Sequence, residues 1–133
     1  MKVRLNWNEE LQFIGRAGKG PGVIMDSSES ASGATPMEMV LMGVAGCTGI
    51  DVVLILQKKR LDLQRFEILV DAEQSKEWPK RFTKIHLEYL IYGEGINPPA
   101  VEQAIKLSTD KYCSAMASLN AEFSHSYRIF NKP

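Results

Sequence analysis

A twelve-residue segment without a charged side chain, from Met39 to Ile50, constrains the fold of this chain more than any other feature. Its apolar residues occur all round a helix rather than along one stripe, which is typical of a helix enclosed by other elements. The uncharged segment is shorter than the roughly 20 residues that a bilayer requires, and Asp51 ends it. We therefore expect a buried helix, for which a second subunit is the simplest cover.

The start of this helix is marked by three consecutive signals. Thr35 suits the N-cap, Pro36 the first helical position, and Glu38 the acidic position of a capping box. Cations in the sequence KKR, residues 58–60, suit the negative end of the helix dipole. The pattern predicts one helix from Pro36 to about Lys58–Arg60.

Strands are predicted on both sides of this helix by alternation of apolar and polar residues. MKVRLNW at the N-terminus predicts a half-buried strand, LQFIGRAG and GVIMDSS predict two more, and SSESASGAT predicts a loop. LQRFEILVDAEQ and RFTKIHLEYLIYG predict two long antiparallel strands joined by SKEWPK.

The last part of the chain adds a helix and a strand. Asn97 as N-cap and Pro98 predict a helical region to about Leu119, with a break near Thr109–Tyr112. AEFSHSYRIF predicts a closing strand. The class is therefore α+β, with a mostly antiparallel sheet and a long buried central helix, in a single domain spanning residues 1–133.

Composition limits the function classes. Sixteen basic residues balance sixteen acidic ones, so we expect neither nucleic acid nor a membrane as a partner. The N-terminus has no targeting segment, which predicts a cytoplasmic protein. In that reducing compartment the two cysteines are expected to be free or redox-active, and the absence of metal-ligand spacings predicts no metal or other cofactor.

Three glycines, Gly43, Gly46 and Gly49, surround Cys47 within the apolar helix. A glycine inside a helix costs about 1 kcal/mol relative to alanine, so their presence requires an explanation. Small residues allow another backbone to approach, and around a thiol they leave room for a substrate oxygen or a second sulfur.

TPMEMVLMGVAGCTGIDVVLILQKKR, followed downstream by KYCSAMASL, resembles the OsmC/Ohr family of thiol-dependent hydroperoxide reductases, most closely its YhfA-like branch. The resemblance covers essentially the whole chain. The helix motif is specific, since Cys47 follows Pro36 by eleven positions in a helix rich in glycine and alanine. The resemblance implies the OsmC-like fold and an intertwined homodimer, with two active sites at the interface.

The resemblance also implies a reaction. The first cysteine, here Cys47, attacks the distal oxygen of an organic hydroperoxide and becomes a sulfenic acid. The second, here Cys113, condenses with it to a disulfide, and an external dithiol, a lipoylated protein in the Ohr branch, restores both thiols. A thiolate nucleophile and a nearby second thiol are what this chemistry requires.

The activating charges of these peroxidases are an arginine and a glutamate that orients it. The glutamate directly follows the helix-starting proline, where this chain has Met37; Glu38 comes one residue later, about 100° further round the helix. Glu38 is the stronger candidate for the capping box. Arg16, in the glycine-rich GRAGKG, is the candidate arginine, whereas Arg4 is expected on a solvated strand face.

Asp51 lies one helical turn after Cys47, on the same face. A carboxylate there opposes ionisation of the thiol unless a cation lies between them. One hypothesis makes Asp51 the cap of a neighbouring backbone turn, and the other makes it a substitute for the missing orienting glutamate. The sequence does not decide between them.

The remaining candidates are four residues that could line a binding pocket and the two histidines. Met37, Met42, Gly43 and Gly46 are predicted to line a pocket for a flexible apolar substrate. His125 is expected as a satisfied core histidine and His86 as a solvent-facing residue.

Two functions remain open from the sequence. The first is a cysteine peroxidase acting on organic hydroperoxides through Cys47 and Cys113. The second is a non-catalytic dimer of the same fold that binds a small apolar ligand or serves as a stress-related structural protein. Retention of both cysteines favours the first, and Met37 favours the second.

Overall fold

The helices and strands follow the predicted order. The computed structural model describes residues 1–29 and 32–131, in two compact units, Met1–Met42 and Gly43–Pro133. The elements are β1 (Arg4–Glu9), β2 (Gln12–Arg16), β3 (Val23–Met25), α1 (Pro36–Lys58), β4 (Asp62–Gln74), β5 (Phe82–Glu94), α2 (Pro98–Leu107), a π turn (Ser108–Tyr112), α3 (Ser114–Ala117) and β6 (Glu122–Phe130). This order confirms the α+β class; the single domain over 1–133 stays a prediction.

The first unit contains an antiparallel sheet in the order β1-β2-β3. Trp7 pairs with Phe13, which in turn pairs with Met25. The three predicted strands are confirmed, but the half-buried character of the first is not, because every residue of β1 is exposed and Trp7 is 67% exposed. Alternation identifies the two faces of a strand without supplying the element that covers either face.

The predicted capping box at the start of α1 is confirmed. The Thr35 N–H donates to Glu38 Oε1 at 2.8 Å, and the Glu38 N–H donates to Thr35 Oγ1 at 3.1 Å. Hydrogen bonds from the Thr35 backbone and the Thr35 side chain to the Glu38 carboxylate hold the pKa of Glu38 below its ordinary value. In the preceding loop, the prediction for residues 30 and 31 lies outside the described residues.

Helix α1 is buried along one face only. Val44, Thr48, Val52 and Leu56, spaced by four, are inaccessible to solvent, whereas other apolar side chains such as Ile50 are exposed. The elements of this chain therefore cover one stripe of the long helix. The prediction that a second subunit covers its other sides stays a prediction.

The argument that the uncharged segment is too short to span a bilayer requires correction. The uncharged segment extends at both ends into a helix of 23 residues, which is long and apolar enough by length and composition to cross a bilayer. Core helices of soluble proteins pass the same test, so this property alone is weak evidence for a membrane.

The second unit contains a sheet in the order β4-β5-β6. Strands β4 and β5 form the predicted long antiparallel pair, with Ile68 opposite Tyr89. Strand β6 runs parallel to β5, with Tyr127 beside Tyr89, because the helical region between them carries the chain back to the starting end of β5. The buried apolar side chains of this unit come chiefly from α1, β5 and α2.

The helical region after β5 begins and breaks where the sequence predicts. Asn97 Oδ1 accepts a 3.0 Å hydrogen bond from the Ala100 N–H, which fixes the N-terminus of α2. The break is the π turn from Ser108 to Tyr112, which leads directly into Cys113. Cys113 has extended backbone angles and precedes α3.

Candidate thiol site

The two cysteines lie together although they come from different elements. Cys47 is half-buried on α1, and Cys113 is buried between the π turn and α3. Both are free thiols, and the Cys47 side chain lies close enough to Cys113 to raise the pKa of that thiol. The structure thus brings together the two residues that the sequence analysis places in one site.

The environment of Cys113 favours its protonated form. Burial raises the pKa of the Cys113 thiol to about 11, and the neighbouring Cys47 side chain acts in the same direction. The backbone N–H of Met116 opposes the rise without cancelling it. The Cys113 thiol is therefore harder to ionise than a solvent-exposed cysteine.

A chain of four polar side chains runs through the core beside the two thiols. Tyr89 Oη lies 2.8 Å from Thr48 Oγ1, which lies 2.7 Å from Ser108 Oγ. Ser108 Oγ donates to Asp51 Oδ2 at 2.9 Å. Because each hydroxyl has one proton, Thr48 donates to Ser108 and Tyr89 donates to Thr48, so the chain is directed toward the Asp51 carboxylate.

The three hydroxyl residues of this chain are fully buried. Tyr89, Thr48 and Ser108 have no solvent exposure. Burial is the largest influence on the Tyr89 phenol and raises its pKa. Buried hydroxyls without partners are destabilising, and here all three are satisfied by one another and by Asp51.

Asp51 has a contact that neither hypothesis includes. Its carboxylate accepts a hydrogen bond from the side chain of Ser108, which lies far away in sequence, beyond the reach of a local helix pattern. The capping and arginine-orienting roles stay predictions. Thr48, Ser108 and Tyr89 were not predicted, and the spacing of Thr48 and Asp51 on one face of α1 was the available signal.

Ser108 is bonded through both its side chain and its backbone. Its hydroxyl contacts Thr48 and Asp51 on α1, while its carbonyl oxygen accepts the Cys113 N–H at 2.8 Å. The second bond spans five residues and closes the π turn. One serine thus connects α1 to the residue that carries the second thiol.

A cavity of about 400 Å³ adjoins Cys113. Its lining mixes apolar and polar side chains: Leu87, Thr109, Asp110, Lys111, Cys113, Met116, Ala117, Phe123, Ser124 and His125. The prediction of His125 as a core residue is wrong, since this histidine is exposed at the cavity and contacts the edge of the Tyr89 ring. Alternation placed it on the correct face, but that face is open at this end of β6.

His86 lies on the opposite face of the sheet from His125 and is half-buried. Its Nδ1 lies 2.7 Å from Ser124 Oγ and its Nε2 lies 3.1 Å from Ser126 Oγ. The solvent-facing prediction therefore omitted two hydrogen bonds that cross to the neighbouring strand. They link β5 to β6.

An apolar groove of about 540 Å³ follows α1 and β4. It is lined by Ala45, Gly46, Gly49, Ile50, Val53, Leu54, Phe66 and Ile68. A methyl group at Gly49 would lie 3.4 Å from Ile68, an ordinary contact, whereas one at Gly46 would meet open space. Within the described residues Gly46 therefore leaves room rather than packing against a neighbour.

The other predicted lining and activating residues lie on the surface. Met37, Met42 and Gly43 are exposed on α1, and Arg16 is exposed at the end of β2. Glu38 is occupied by the capping box. Roles for these residues in binding or catalysis stay predictions. Among residues 1–29 and 32–131, no group of three His, Cys, Asp or Glu side chains is arranged to hold a metal ion.

The fold and the two neighbouring thiols define the class: an α+β protein with a paired-cysteine site. Comparisons with known proteins identify its family. The family model described as OsmC-like protein matches residues 28–127. Protein YhfA of Escherichia coli strain K12 is 39% identical over 131 residues, covering 97% of this chain and 98% of its own length. The chain therefore belongs to the OsmC family.

Solved structures confirm the OsmC-like fold. A hypothetical protein from Aquifex aeolicus VF5 is 30% identical, with a TM-score of 0.82 and 96% of each chain covered. The organic hydroperoxide resistance protein OhrB of Bacillus subtilis is 11% identical, with a TM-score of 0.68 and 96% of each chain covered. The second likeness is one of fold alone.

Proposed function

We propose that this protein is a cysteine-based peroxidase that reduces organic hydroperoxides through Cys47 and Cys113. The observation that carries the proposal is the placement of two free thiols from different elements beside each other, with Cys47 partly exposed and Cys113 buried. Such a pair has one sulfur that an oxidant can reach and a second thiol beside it. The fold shared with an organic hydroperoxide resistance protein supports the same substrate class.

The reaction has two steps within the protein. The Cys47 thiol ionises, its thiolate attacks the distal oxygen of the hydroperoxide, and the O–O bond breaks, so that Cys47 becomes a sulfenic acid. The leaving alkoxide takes up the proton that the thiol released and departs as the alcohol. The Cys113 sulfur then attacks the Cys47 sulfur. An S–S bond forms, the S–O bond breaks, and the proton lost by Cys113 leaves with the hydroxide as water.

An external dithiol completes the cycle. Cys113 lines the cavity described above, whereas Cys47 is not among its lining residues. A thiolate entering there attacks Cys113 and releases Cys47 as a thiolate, and the second thiol of the reductant then frees Cys113. Leu87, Met116 and Phe123 in the lining suit the carbon chain of a dithiol such as a lipoyl group.

A homodimer in the cytoplasm is the form that we propose. The exposed apolar face of α1, including Ile50 and Leu54, and the adjoining groove require a cover. A second copy of the chain supplies one with matching apolar character, as the resemblance to the family implies. The numbers of basic and acidic residues are equal, so no net charge opposes the association of two copies.

A second candidate function is binding of a small apolar ligand in the groove along α1. Its entirely apolar lining, with open space above Gly46, favours this function if the groove stays open in the assembled protein. The peroxidase proposal does not depend on the groove, so the two functions are separable by experiment.

Trapping of the sulfenic acid tests the proposed function. The Cys113→Ser variant, treated with cumene hydroperoxide in the presence of dimedone, is expected to gain one dimedone adduct on Cys47. The Cys47→Ser variant is the matched control and is expected to gain none. Absence of an adduct in Cys113→Ser, with the thiol still intact, would reject the peroxidase and leave the ligand-binding function.

A further inference from the structure

Ser108 is bonded to both elements that carry a cysteine. Its hydroxyl lies 2.7 Å from Thr48 and donates to Asp51 at 2.9 Å, and both partners are on α1 with Cys47. Its carbonyl accepts the backbone N–H of Cys113 at 2.8 Å. The position of Cys113 relative to α1 is therefore fixed through one fully buried serine.

The two bonds on α1 fix a direction as well as a distance. Thr48 is adjacent to Cys47 in sequence, and Asp51 follows Thr48 by almost one helical turn. A hydroxyl held at both points has little freedom to slide along the helix or rotate around it. The acceptor at one end is a carboxylate, which makes that hydrogen bond stronger than one between neutral groups.

The residues after Ser108 are less constrained by regular structure. The π turn from Ser108 to Tyr112 contains one residue per turn more than an α-helix, and Cys113 leaves it with extended backbone angles. A disulfide requires the two Cβ atoms to lie about 3.5–4.5 Å apart. An anchor at the start of the π turn thus limits how far Cys113 can move from Cys47 when the disulfide forms.

We propose that Ser108 and Asp51 are positioning residues for disulfide formation between Cys113 and Cys47. The proposal rests on the proposed function, in which Cys113 attacks the sulfenic acid of Cys47 and water leaves. Neither residue contacts the hydroperoxide in this step. Loss of the Ser108–Asp51 bond allows the π turn to move, which separates the two sulfurs without altering the first oxidation of Cys47.

The test is the fraction of the Cys47 sulfenic acid that becomes a disulfide rather than a sulfinic acid. A sulfenic acid that is not captured by the second thiol is oxidised by further hydroperoxide to sulfinic acid. In Ser108→Ala and Asp51→Asn we expect the disulfide to form at least about tenfold more slowly, since small misplacements of reacting atoms have effects of this size. Cys47 is expected to be oxidised at the wild-type rate in Ser108→Ala, whereas in Asp51→Asn, which also removes a carboxylate near Cys47, that rate is measured separately. The sulfinic fraction, measured by intact mass against cumene hydroperoxide concentration, therefore rises.

Two control variants distinguish loss of the Ser108 hydrogen bonds from general destabilisation of the fold. Ser108→Thr retains the hydroxyl and is expected to restore a low sulfinic fraction. Ser118→Ala removes an exposed hydroxyl that bonds within α3, and is expected to behave as the wild type. A wild-type partition in folded Ser108→Ala and Asp51→Asn would overturn the proposal.

A second measurement is independent of peroxidase activity. The equilibrium between the thiol pair and a glutathione redox buffer reports the effective concentration of one thiol at the other. We expect this value to fall at least about tenfold in Ser108→Ala and Asp51→Asn, in parallel with slower closure. An unchanged effective concentration would overturn the positioning role, whether or not the protein is a peroxidase. A reduced effective concentration in a protein that forms no sulfenic acid would reject the proposed function and leave the positioning role standing.

Discussion

The Cys113 thiol lies beside Cys47 but is buried where Cys47 is partly exposed, and its pKa is raised to about 11, chiefly by burial. This asymmetry distinguishes the two cysteines chemically before any oxidant is present. It suits Cys47 to react first with an oxidant and Cys113 to respond afterwards.

The first prediction concerns the pH dependence of Cys113. With its pKa raised to about 11, chiefly by burial, the thiolate fraction should increase about tenfold for each pH unit between pH 7 and pH 10. Peptide-resolved alkylation of the reduced wild-type protein measures this rate. N-acetylcysteine is the control, and its rate should level off near its own pKa. A plateau for Cys113 below about pH 9 would contradict the prediction.

The second prediction concerns the buried hydroxyl chain. Thr48→Val removes the group that accepts from Tyr89 and donates to Ser108, leaving buried polar groups with a lost partner. We expect a loss of about 1–3 kcal/mol in the free energy of unfolding, measured in urea at fixed protein concentration. Ser118→Ala, at an exposed position, should change it little. Equal stability of Thr48→Val and wild type would show that this chain contributes nothing to stability.

The third prediction concerns the capping box. The lowered pKa of Glu38 means that its ionised form stabilises the folded state, an effect present above the ordinary pKa of 4.5 and lost as pH falls through the lower folded value. Glu38→Gln should therefore be less stable than wild type near neutral pH, with the difference disappearing in acid. Thermal unfolding from pH 7 to pH 2 measures it. A difference that persisted unchanged in acid would exclude the charge as its cause.

The fourth prediction concerns the exposed face of α1. Leu54→Glu places a charge where we propose that a second copy packs, and should convert a dimer to a monomer in light scattering after gel filtration. Leu69→Glu is the control, because Leu69 is exposed to a similar degree on β4 but outside the groove lining. A dimer in both variants, or a monomeric wild type, would exclude this face as the interface.

Local patterns predicted most of the elements. Thr35, Pro36 and Glu38 mark the start of α1 because capping depends on residues three positions apart. Alternation located the long strands, and Asn97 located α2. These features are determined by neighbours in sequence, which is why sequence patterns recover them.

Features determined at long range were not predicted. Asp51 and Ser108 meet only when α2 and the π turn pack beside α1, so no spacing rule reveals their bond. His125 was assigned to the core because alternation identifies a face but does not show where cover on that face ends. Likewise, the apolar character of α1 predicts a need for cover, not the source of that cover.

The most direct test of the central claim is thiol titration combined with intact mass, before and after one equivalent of cumene hydroperoxide. The account predicts rapid loss of both thiols, a mass decrease of two hydrogen atoms, and a disulfide between Cys47 and Cys113 in the peptide map. Cys113→Ser should instead gain oxygen on Cys47. Two intact thiols and an unchanged mass would contradict the account.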